Sequence, residues 1–82
     1  MNDKETFLHL YGLAGTHHDE TGDMKPWLVL ASAENNAGDS GFSPDDDGYF
    51  PLVIESLRGL LTPRGSDYQD QIPWFAANGF IA

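Results

Sequence analysis

Apolar positions along the chain fall into three runs separated by acidic, glycine-rich connectors. The first, "TFLHLYGL" (6–13), alternates Phe7, His9, Tyr11 and Leu13, the period-two pattern of a half-buried strand. Asn2 and Glu5 have the spacing of a capping box, which would open a short helix instead. Aromatic content and Gly12 favour the strand. The second run, "PWLVLASA" (26–33), is continuously apolar and reads as a buried strand, although Pro26 also suits a helix opening there. In the third, Phe50, Val53, Ile54, Leu57, Leu60 and Leu61 recur at the spacing of one helix face. Pro51 fits the first position of that helix, and "TPRG" (62–65) stops it. Glu55 and Arg58, three apart, would pair on its polar side.

The tail "SDYQDQIPWFAANGFIA" (66–82) predicts a short turn of helix from Pro73 that ends at Asn78-Gly79. Apolar Phe80 and Ile81 then dock, as a third strand over 79–82 or against a partner. The expected fold is therefore α+β, with antiparallel strands at 6–13 and 26–33 packed on one main helix over 51–61. A mostly α arrangement is the alternative. The connectors 14–25 and 34–48 read as loops, and a loop as long as the second is unusual in so small a domain.

Composition limits what such a fold can do. The chain has 82 residues, which is one domain without room for a deep internal cavity. Thirteen carboxylates face four Lys and Arg, a formal net charge of −9. Binding to nucleic-acid phosphates needs clustered cations, and Lys4, Lys25, Arg58 and Arg64 are scattered. Direct binding of DNA, RNA or an anionic membrane is therefore not expected, whereas a basic partner would be attracted. There is no cysteine, hence no disulfide framework and no thiolate metal site. "MNDKET" is unlike a signal peptide, and no apolar run approaches a membrane span. The expected compartment is the cytoplasm.

Candidate chemistry is sparse. In "SPDDDGYF" (43–50), Ser43, Asp45 and Asp47 sit like the first ligands of a calcium loop, with Gly48 at the turn. The register then fails, because Ile54 occupies the place of the closing acid and Glu55 comes one residue late. Part of the run is explained by a helix beginning just after it, where negative charge is favourable. Three adjacent aspartates exceed what capping needs. "THHDETGD" (16–23) offers His17, His18, Asp19, Glu20 and Asp23, but adjacent histidines in a strand face opposite ways and no chelating spacing appears. "GDSG" (38–41) matches the nucleophile motif of chymotrypsin-like serine proteases over four residues only. Those enzymes need two β-barrels to build the triad, far more chain than this. Catalysis has no support in the residues.

The remaining signal is surface. Between positions 19 and 47 lie Asp19, Glu20, Asp23, Glu34, Asp39, Asp45, Asp46 and Asp47, against Lys25 alone. If both long loops share a side, these residues form one acidic face. In an extended chain residues two apart are separated by about 6.6 Å, so Asp45 and Asp47 could imitate consecutive phosphates. Trp27 and Trp74 read as core residues, or as interface anchors if exposed.

In size, acidity and absence of cysteine or catalytic motif, with "HHDETGD" (17–23) and "GDSGFSPDDDG" (38–48), the chain resembles small phage-encoded inhibitors of the anti-CRISPR and anti-restriction kind. Some of these block nucleic-acid-binding machines by DNA mimicry. The resemblance is one of class: no motif aligns, and the class shares no single fold. It implies a non-enzymatic protein without cofactor, acting in the host cytoplasm on a nucleic-acid-binding protein or complex with a Lys/Arg-rich surface. The eight carboxylates above would be its contacts, centred on Asp45–Asp47. The alternative is a small structural or assembly subunit that binds through the edge of the 50–61 helix, Trp74, Phe75, Phe80 and Ile81.

Overall fold

The computed structural model describes residues 2–62 and 67–80. It is helical, with α1 at Asp3–Thr21, α2 at Lys25–Asp39, α3 at Tyr49–Leu60, a single 3₁₀ turn at Gln69–Gln71 and α4 at Ile72–Ala77. There is no strand among the described residues. The α+β expectation is overturned in favour of the helical alternative.

The stretch expected as a strand at 6–13 lies inside α1. Phe7, Leu10 and Ala14, at i, i+3 and i+7, are the buried positions, whereas His9 is exposed and Leu13 half-buried. The capping box forms: Asn2 Oδ1 accepts from the Glu5 N–H at 2.8 Å, and Glu5 accepts from the Asn2 N–H at 3.3 Å. With that start fixed, the helix runs on through 14–21, most of the connector read as a loop. It stops at Gly22, whose φ of 75° is a left-handed conformation that glycine adopts without strain.

The expected strand at 26–33 is α2. Pro26, Val29, Leu30, Ala33 and Ala37 are its buried residues, a helical spacing that carries on through "ENNAGD". The second connector is thereby shortened to residues 40–48. The main helix was legible: α3 buries Tyr49, Val53, Ile54 and Leu57. It begins two residues before Pro51, which still needs no partner in the first turn. Arg58 does not pair with Glu55; its guanidinium lies 5.4 Å from the centroid of the Phe80 ring. The expected stop at 62–65 falls largely outside the described residues.

The helices α1, α2 and α3 surround one core, with the α2–α3 contact the most extensive. The C-terminal segment closes it. Phe80 N–H donates to Phe75 O at 2.8 Å and Gly79 N–H to Ala76 O at 3.1 Å, with Gly79 at φ 91°. This paired return after α4 swings Phe80 back onto Phe75, ring centroids 6.3 Å apart. Phe80 is thus docked, as the sequence predicts, but by a helix cap rather than the strand expected at 79–82. Ile81 and Ala82 lie outside the described residues.

Candidate functional site

The nine-residue connector 40–48 is built by its own side chains. Asp46 Oδ2 accepts from the Ser43 N–H at 2.8 Å and from the Ser43 hydroxyl at 3.3 Å, while Asp46 N–H donates to Ser43 O. Tyr49 N–H then donates to Asp46 O at 3.1 Å, leading the chain into α3. The Phe42 ring covers Gly48 so closely that a Cβ there would meet it at 2.7 Å, so glycine is required unless Phe42 moves. No aspartate side chain caps α3, contrary to expectation: its N-cap is Gly48 without a side-chain bond. Asp46 closes the turn instead.

Asp45 and Asp47 flank that turn with exposed side chains that make no hydrogen bond or ion pair among the described residues. Beside them the N-terminus of α1 brings Asn2, Asp3 and Lys4. Together with Pro44, Asp46, Phe50 and Pro51 these residues line an open groove of about 480 Å³. The Phe7–Phe50 contact, ring centroids 5.7 Å apart, holds α1 against α3 here. Lys4 Nζ lies 5.9 Å from the Phe50 ring centroid. The groove therefore has an aromatic and proline floor, a carboxylate rim and one resident cation.

The other carboxylates singled out in the sequence are not all nearby. Asp39 ends α2 at the head of the 40–48 connector and is exposed. Glu34 is half-buried and accepts from the Tyr49 hydroxyl at 3.2 Å; burial and this negative neighbour push the Tyr49 hydroxyl above its ordinary pKa. Asp19, Glu20 and Asp23 belong to the far end of α1. Asp3 and Asp19 are separated by about 24 Å at the α-helical rise of 1.5 Å per residue. A single face of eight carboxylates does not form; the chain has two acidic ends.

At the far end, the corner between α1 and α2, charge is used internally. The His17 Nε2–H donates to Asp23 Oδ2 at 2.9 Å, and Lys25 N–H donates to Asp23 Oδ1 at 3.0 Å. Lys25 Nζ reaches Asp70 Oδ2 at 2.8 Å, tying the 3₁₀ turn to α2. The His17 hydrogen bond, then that of the Lys25 N–H, holds the Asp23 carboxyl below the usual carboxylate range; Lys25 does the same for Asp70. His17 also meets the edge of Trp74, and His18 stacks on Trp27 at 5.0 Å. The two histidines are thus engaged with different partners on a helix, not on a loop. No group of three or more potential metal ligands occurs among the described residues.

The remaining features are placed as follows. Ser40 of "GDSG" donates its hydroxyl to Asn36 O at 3.1 Å. Phe75 and Phe80 are core residues, and Trp27 and Trp74 are half-buried against the core. No described helix is long and apolar enough to cross a membrane. Asp3, Lys4 and Phe50 were missed as site residues. Their signal was the Asn2–Glu5 capping box, which places residues 3 and 4 at a helix start. Comparison with known protein families, with curated proteins and with solved structures finds no match.

Proposed function

We propose that the chain is a non-enzymatic binding protein whose acidic end engages a Lys/Arg-rich surface on a nucleic-acid-binding protein or complex, and so competes with nucleic acid for it. Asp45, Asp46, Asp47 and Asp3 are the contacts, with Asp39 at the margin. The observation that carries this reading is the state of Asp45 and Asp47: exposed, internally unpartnered, and held on a turn that Asp46 orders. Preorganised carboxylates lose little freedom on meeting a cationic surface, and the net charge of −9 steers that surface toward them. The corner acids Asp19, Glu20 and Asp23 act only through the long-range field.

The test is the triple variant Asp45→Asn, Asp46→Asn, Asp47→Asn. Asparagine keeps the oxygen that accepts from Ser43 and removes the charge, so the turn persists. Partners are captured from host extract at low and high salt and identified by mass spectrometry. A retained nucleic-acid-binding protein should be lost at high salt, and the variant should bind it weakly with a flatter salt dependence. Equal affinity of variant and parent sinks the proposal. A salt-resistant partner without a nucleic-acid role would favour a structural subunit. Since Phe75 and Phe80 are already buried, its surface would be drawn from the exposed Leu8, Tyr11, Met24, Leu28 and Phe42.

A further inference from the structure

One stripe of α1 has features that the isolated chain does not explain. Lys4, Leu8, Tyr11, Gly12, Gly15 and Asp19 follow one another at helical spacing along a single side. Leu8 and Tyr11 are 52% and 44% exposed, the most apolar surface on this helix. Gly12 stands in mid-helix, where glycine is unfavourable relative to alanine, yet nothing lies within 4 Å of the place its Cβ would take. Gly15, in contrast, is backed by Trp27, whose ring a Cβ would meet at 3.3 Å.

The charges at the two ends of the stripe also run against the helix. Lys4 is in the first turn and Asp19 in the last, where the macrodipole disfavours a cation and an anion respectively. Neither makes an ion pair among the described residues. Between them, from Thr6 to His18, there is no carboxylate, an interruption in a chain with thirteen.

We propose that this stripe is a self-complementary interface on which a second copy of the chain packs, α1 against α1 and antiparallel. A two-fold axis between Tyr11 and Gly12 brings Lys4 opposite the second copy's Asp19, and Asp19 opposite its Lys4. It places each Leu8 over the other copy's Gly15 and the Trp27 ring behind it, and each Tyr11 against the other's Gly12. The wrong-signed helix charges become two symmetric ion pairs, and the unexplained glycine becomes the point of closest approach. Tyr11 is already held in place by Phe7 and Trp27, with ring centroids 5.9 Å away in both cases. The carboxylate-free centre confines like-charge repulsion to the two ends of the contact, where each Lys4 meets the other copy's Asp19. One helix pair is a small interface, so the association is reversible.

Sedimentation of the full chain over a wide concentration range, in moderate salt that screens the overall repulsion, tests this. The expected result is a reversible monomer–dimer equilibrium. Lys4→Glu alone, or Asp19→Lys alone, weakens it by about tenfold, and the double reversal restores it. Asp19→Lys should not harm folding, because it gives the helix end the sign its dipole favours. Lys4→Glu also gives up the contact with the Phe50 ring, so the thermal midpoint of each variant monomer is measured beside its dimerisation. Gly12→Ala separates the two effects further, raising the thermal midpoint of the monomer while weakening the dimer. A chain that stays monomeric, a dimer indifferent to the single reversals, or one that the double reversal fails to restore overturns the proposal.

Discussion

The two ends of α1 carry similar numbers of carboxylates and use them in opposite ways. At the corner with α2, three connecting residues leave little slack, and Asp23 is bound from both sides by His17 and Lys25 while Lys25 also holds Asp70. Those charges stitch α1, α2 and the C-terminal segment together. At the other end the connector is nine residues long, and of its three aspartates only Asp46 is engaged, with the loop's own Ser43. Asp45, Asp47 and Asp3 are left for solvent or for a partner. The count of acidic residues is therefore a poor guide to function in this chain; what matters is which of them the fold has already neutralised.

The corner is broken most severely from beneath. Phe75 is fully buried, meets Trp74 at 4.9 Å and anchors the return of Phe80, so it is what holds the C-terminal segment on the bundle. Phe75→Ala should cost about 3–5 kcal/mol in urea unfolding, since a large cavity opens in a small core. An unchanged unfolding midpoint would remove Phe75 from the core. Under conditions where the variant remains folded, capture of a basic partner at the acidic groove should persist, because none of the residues lining that groove belongs to the C-terminal segment.

A smaller effect separates the three aspartates from one another. Asp46→Ala removes the acceptor that closes the 43–46 turn and should destabilise by about 1 kcal/mol. Asp45→Ala and Asp47→Ala remove unpartnered like charges and should be neutral or slightly stabilising in the same urea titration. Equal effects at all three positions would mean that the loop is not organised by Asp46.

Legibility in the sequence followed the same division between local and distant causes. The helix α3 could be read because its apolar residues admit one period. Residues 6–13 admit two: Phe7, His9, Tyr11 and Leu13 alternate, while Phe7, Leu10 and Ala14 fall on one helix face. The capping box at Asn2 and Glu5 decides between them, and Gly12 was misread as evidence against a helix. In 26–33 an unbroken apolar run carries no period, and the deciding residue, Ala37, lies four positions beyond the apparent end. Asp45–Asp47 stood out by composition alone. That Asp3, Lys4 and Phe50 join them, and that Asp19, Glu20 and Asp23 do not, depends on how α1 lies across α3, which no local pattern records.

The smallest predicted effect probes the corner by pH. The carboxyls of Asp23 and Asp70 are lowered in the folded chain, so their contribution to stability is fully present above the unfolded value of about 3.9. It is lost as pH falls through the lower folded values. The Lys25 ammonium is raised, chiefly by Asp70, so its contribution is present below about 10.4 and lost as pH rises through the folded value. The corner thus has a stable window bounded by acid on one side and strong base on the other. All three groups are solvent-exposed, so salt narrows the effect at both limits. Amide protection of residues 69–78, taken relative to the intrinsic exchange rate at each pH, should fall in acid, with protection in the 40–48 connector as the internal comparison. Asp23→Asn together with Asp70→Asn should abolish the acid limb at the corner. Persistence of that limb in the double variant would show that some other group fastens the C-terminal segment.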